Sequence, residues 1–163
     1  MQTPFIIWLA SLFILTFIHI ARSPGRRSFK DILETFLLYF TVINIGLFSL
    51  YNFFAYLFFP SEVAGFRGYE SSSPFQFELA MAYLAFGILG VLCFWERGDF
   101  SFATVIGFSL FLFGSGLGHL RDYIRFAKER SQGADILLYI DLILPLILLI
   151  LTLIQRRLCH AKS

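Results

Sequence analysis

Three carboxylates and one histidine stand in segments otherwise apolar enough to lie in lipid. Glu78 sits in "SPFQFELAM", His119 and Asp122 in "GLGHLRDY", and Asp141 in "DLILPLIL". Asn52, in "SLYNFF", and Arg121 belong to the same set. A charged side chain near mid-bilayer costs on the order of 2.5–3.5 kcal/mol on insertion scales, so such residues rarely face lipid. His119 and Asp122, three residues apart, share a helix face and suit a common cation. Glu78 and Asp141 would complete a mixed nitrogen–oxygen metal shell fit for Zn, Mn or Fe, although one histidine makes it poor in nitrogen. Proton or small-cation handling asks less of the same groups. A membrane enzyme acting on a lipid-like substrate is the second chemistry, with Glu78 or Asp141 as acid and His119 as base. The third reading is structural: Arg121 pairs with Glu78 or Asp141, Asn52 bridges, and the polar layer only locks helices in an accessory subunit. No nucleophile motif, glycine-rich phosphate loop or multi-cysteine metal motif occurs, and Ser115 lies about a turn deeper than His119, which argues against acyl-enzyme chemistry.

The elements that must position these residues are membrane helices. The chain has 163 residues, 58% of them hydrophobic and only 15% charged, with a mean hydropathy of +0.75. A soluble domain carries about a quarter charged residues. Five uncharged or nearly uncharged runs approach the roughly 20 residues that cross a bilayer: 4–20, 32–59, 74–95, 100–120 and 135–155. The expected fold is therefore all-α, a single membrane domain of five transmembrane helices. The first run lacks a basic start and a small-residue cleavage site, so it reads as a span rather than a signal peptide.

Several polar residues are explained by helix ends. "SSSPFQFE" reads as a capping box with Ser73 as N-cap, Pro74 at the first helical position and Gln76 at the third. Asp99 after Gly98 and Asp135 after Gly133 read as caps, and Pro60 as the stop of the second helix. In the fourth helix, Gly107, Phe111, Gly114, Gly118 and Asp122 share one face, and Gly114 with Gly118 forms a GxxxG pair suited to helix packing. Ser115 and His119 form a stripe beside it. Pro145 has no N–H to offer the carbonyl of Asp141, which kinks the fifth helix or frees that carbonyl for binding.

Alternation of the chain across the membrane puts Asn52, Glu78, His119, Asp122 and Asp141 in one layer. Counting 1.5 Å per residue, Asn52, Glu78 and Asp141 lie roughly 6–10 Å from their nearest helix ends. The layer is a polar pocket near one face, and His119 and Glu78 are expected to matter more to it than Gln76. Basic residues divide eight to five in favour of an outer N-terminus and a cytoplasmic C-terminus, as in a bacterial inner membrane. Cys93 and Cys159 then fall near a reducing cytosol, where a disulfide is not expected. The bilayer itself is the first partner, and a second copy or another membrane protein is the next. A net charge of +2 leaves no nucleic-acid footprint. Beyond a bound cation, the residues name no cofactor.

"SPFQFELAMAYLAFGILGVL", the "FW" that follows, "FSFATVIGFSLFLFGSGLGH" and "DLILPLILLI" resemble a group of small bacterial and archaeal integral-membrane proteins of unknown function. The resemblance spans about residues 53–150, and the first helix and its basic loop look individual to this chain. It implies the helical membrane fold, with Pro74, Gln76, Glu78, Gly87, Trp95, Gly118, His119, Asp122, Asp141 and Pro145 as motif residues. It implies no activity, substrate or cofactor.

Overall fold

The computed structural model describes residues 2–22, 28–67, 74–125 and 134–160, leaving aside the side chains of 2–9, 66, 67, 122, 123, 134–138 and 160. The described residues form helices, with no strand among them. In chain order these are α1 (Gln2–Arg22), α2 (Phe29–Phe40), a π-helical segment (Thr41–Leu47), α3 (Phe48–Phe58), α4 (Pro60–Arg67), α5 (Pro74–Leu92), α6 (Asp99–Arg125) and α7 (Ala134–His160).

Four stretches are long and apolar enough to cross a membrane: Phe29–Phe58, Pro74–Leu92, Asp99–Arg121 and Tyr139–Cys159. In α1 the apolar stretch among residues with described side chains is the shorter Ala10–Arg22. Four of the five expected spans correspond to these stretches, and the expected span 4–20 is not among them.

Exposed large side chains line the outside of these helices. Leu110 and Leu117 stand out on α6, and Ile143, Ile147 and Ile150 on α7. That is the outward face expected where lipid, not water, surrounds the bundle. The interior holds Leu12, Leu33, Leu37, Phe40, Ile45, Val105, Phe108, Leu112 and Leu148, drawn from five segments.

Packing divides the bundle into two tight pairings. The π-helical segment and α3 lie along α5, α6 lies along α7, and α2 touches both α1 and α7. The first pairing rests on glycine. A Cβ at Gly90 would stand 2.6 Å from Cα of Gly46, and one at Gly46 would stand 2.9 Å from N of Val91. The wide turn of the π-helical segment, closed by Phe48 N–H donating to the carbonyl of Ile43, carries Gly46 to that contact. Aromatic rings complete the interior: Tyr56 stacks on Tyr83 at 5.5 Å, and Tyr83 meets Phe111 edge-on at 5.2 Å.

Helix ends differ in detail from the sequence expectation. Ser28 caps α2 in a reciprocal box with Asp31. Phe59, with φ −129° and ψ 50°, breaks the second helix, and Pro60 opens the short helix α4 rather than simply ending what precedes it. Ser73 lies outside the described residues. Gln76 is buried, and its side-chain amide donates to the carbonyl of Pro60 at 2.7 Å, tying the start of α5 to the start of α4. Asp99 is the first residue of α6, not its cap. Gly98, at φ +69°, offers its carbonyl to Phe102 N–H, and the Asp99 carboxylate lies 3.0 Å from Arg156 on α7. The side chain of Asp135 is outside the described residues. Cys93 and Cys159 are free thiols.

Candidate functional site

Helix α6 brings Leu112, Ser115, Gly116 and His119 toward α7, a spacing of three and four residues that keeps them on one face. Gly116 sets the separation. A Cβ there would stand 2.7 Å from Cδ2 of Leu142 and 3.3 Å from the backbone carbon of Asp141. The close approach delivers the Asp141 carboxylate between two consecutive turns of α6. Ser115 donates its hydroxyl to Oδ2 of Asp141 at 2.7 Å, and Nε2 of His119 stands 3.8 Å from the same oxygen. The side chains are nearly closed off, at 8% exposure for Asp141 and 17% for His119. Pro145, itself fully buried, sits one turn further along α7.

This arrangement can hold a proton or stabilise a small cation. A carboxylate with a hydroxyl donor and an imidazole nitrogen nearby has two routes for a hydrogen to move or be shared. The imidazole is the more open of the pair, so it is the group through which exchange with the membrane face would run. Ser115, dismissed by depth, is part of the cluster because Asp141 falls between its turn and that of His119.

The other expected members are placed differently. Asn52 is buried, but its amide donates to the carbonyl of Phe48 four residues back at 2.8 Å, so it serves its own helix. Glu78 is exposed in the second turn of α5 and pairs with no described residue. Arg121 is exposed on the turn after His119. The side chain of Asp122 lies outside the described residues. Among the described residues, no three His, Cys, Asp or Glu side chains come together as metal ligands. Gln76, by contrast with Glu78, is 2% exposed and bonded.

The glycine face divides. A Cβ at Gly107 would stand 3.4 Å from Cε1 of Phe86, while one at Gly114 or Gly118 would meet no described atom within 4 Å. The contact with α7 falls to Gly116, on the adjacent face.

Sequence reasoning passed over the unpartnered polar atoms of the interior. Ser49, Ser109, Thr16 and the Asn44 amide nitrogen are buried without a hydrogen-bond partner among the described residues. Such groups cost about 1–3 kcal/mol each by protein mutational measures. Ser109→Ala is therefore expected to leave the melting temperature in detergent unchanged or raise it. A fall of several degrees would show that the hydroxyl is bonded.

A model of the family of unknown function DUF6790 matches residues 2–161. The chain belongs to that family. The match takes in α1 and the basic segment after it, which the resemblance had left out, and so extends the relationship to nearly the whole chain. No curated protein and no solved structure matches.

Proposed function

We propose that this member of the DUF6790 family is a multi-pass membrane protein that takes up and releases a proton at the Ser115–Asp141–His119 cluster. The observation that carries the reading is the Asp141 carboxylate, buried between two apolar helices and faced by both a hydroxyl and an imidazole. Proton handling fits better than a metal site because, among the described residues, one histidine and one carboxylate meet, where transition-metal sites draw on more ligands. Lipid-directed acid–base catalysis would use the same pair. It has no additional support, since Glu78, its other acid, is exposed.

In this reading α1 is a fifth span beside the four apolar helices, the N-terminus is outside and the C-terminus cytoplasmic. The cluster then opens toward the outer face. The test is proton uptake by the purified protein after a rapid pH step, followed with a soluble indicator dye. Asp141→Asn should remove the cluster's share of the uptake, His119→Ala should slow it at least fivefold, and Glu78→Gln should leave it unchanged. Equal amplitude and rate in all three variants would overturn the assignment.

A further inference from the structure

A second polar concavity lies at the other end of the bundle, where α2 and α6 begin and α7 ends. It measures about 70 Å³ and is lined by Glu34, Arg97, Ser101 and Gln155, with Leu37, Phe102 and Val105 among its apolar walls. A single ordered water needs roughly 10–15 Å³ by the same measure, so the space holds about five to seven water-sized groups, the bulk of a small polar headgroup. It is separate from the Asp141 cluster in place and in residues.

The charges around it are arranged as opposites. Glu34 is half-buried and Arg97 exposed on the turn between α5 and α6, and neither makes a hydrogen bond or ion pair with a described residue. The neighbouring cation, Arg156, is already engaged, 3.0 Å from Asp99 and 4.1 Å over the ring of Phe102. Thr152, also in the lining, gives its hydroxyl to the carbonyl of Leu148. Among the described residues, Gln155 has a long contact of 3.6 Å to the Cys159 sulfur. One carboxylate and one guanidinium thus border a small space with apolar walls, beside the Gln155 amide and the Ser101 hydroxyl, which donates to the carbonyl of Glu96 at 3.2 Å. Arg97 suits a phosphate, and Glu34 suits a donor cation.

We propose that this cleft binds a phosphoethanolamine-type zwitterion, with its primary ammonium against Glu34 and its phosphate against Arg97. The position fits the headgroup of an aminophospholipid. Glu34 lies about a turn and a half into α2 and Arg97 on the connecting turn, the depth at which helices of a bundle meet headgroups. The size and the carboxylate select a primary ammonium over a trimethylammonium, which is larger and donates no hydrogen bond.

Native mass spectrometry of the full chain released from nanodiscs tests this. The nanodiscs contain phosphatidylethanolamine, phosphatidylcholine and phosphatidylglycerol in equal parts. Retained phosphatidylethanolamine should exceed phosphatidylcholine at least fivefold. Glu34→Gln should abolish that preference, and Arg97→Gln should lower retention of both phosphatidylethanolamine and phosphatidylglycerol. Millimolar O-phosphoethanolamine is added in a second arm. Displacement of the lipid there, dependent on Glu34, assigns the same site to a free zwitterion, and no displacement assigns it to the lipid. Both variants should melt within a few degrees of the wild type, so that a loss of retention is not a loss of fold. Equal retention of the three lipids, or retention unaffected by either substitution, overturns the proposal.

Discussion

Gly90→Ala is expected to be the most damaging addition of a single methyl group to this protein. The new Cβ would be driven into the backbone of the π-helical segment, 2.6 Å from Cα of Gly46 and 2.8 Å from the carbonyl carbon of Ile45. Neither atom can swing aside as a side chain can, so α5 and the segment must separate along their shared face. Overpacking usually costs about 1–3 kcal/mol and sometimes more, and a backbone-on-backbone collision belongs at the upper end. In detergent, Gly90→Ala should melt well below the wild type. Gly114→Ala, whose Cβ meets no described atom, should melt close to it. Equal melting temperatures for the two variants would refute the packing described for α5.

The second large effect is at Asp141. Removing its carboxylate leaves the Ser115 hydroxyl without its acceptor, and hydrogen bonds to charged groups contribute about 1.5–3 kcal/mol. Asp141→Ala should therefore lose both stability and proton uptake. The double variant Ser115→Ala/Asp141→Leu removes donor and acceptor together and refills the space with apolar atoms, an exchange that is often nearly neutral. It should recover much of the melting temperature while proton uptake stays lost. Stability restored without function marks a site kept for chemistry. If the cluster only locked α6 to α7, no variant would change uptake, whatever its melting temperature.

Much of this was legible in the chain because lipid penalises the same residues that chemistry uses. Asp141 and His119 stood out in apolar helices, and alternation of the spans put them at one end of the bundle. Glu78 was grouped with them by depth alone. Near the start of α5 an exposed carboxylate costs little, and nothing in its spacing says which way it faces. Ser115 was set aside by the same reasoning. Depth along a helix does not reveal that Asp141 approaches between the turns of Ser115 and His119.

The glycines show a similar limit. Periodicity sorts them onto faces, but only the position of α7 makes Gly116 the contact and leaves Gly114 and Gly118 open. The π-helical turn that brings Gly46 to Gly90 has no signature in "TVINIGL". The Glu34–Arg97 cleft draws its walls from three segments distant in sequence, which is why no local pattern announced it.

The central claim is that Asp141 exchanges a proton in concert with His119. Infrared difference spectroscopy of the reconstituted protein across a pH change tests it most directly, because a protonated carboxyl group has its own carbonyl stretching band. The account predicts a difference band that vanishes in Asp141→Asn and changes frequency in His119→Ala. A spectrum identical in the wild type and in Asp141→Asn would contradict it and leave Asp141 as a structural hydrogen-bond acceptor for Ser115.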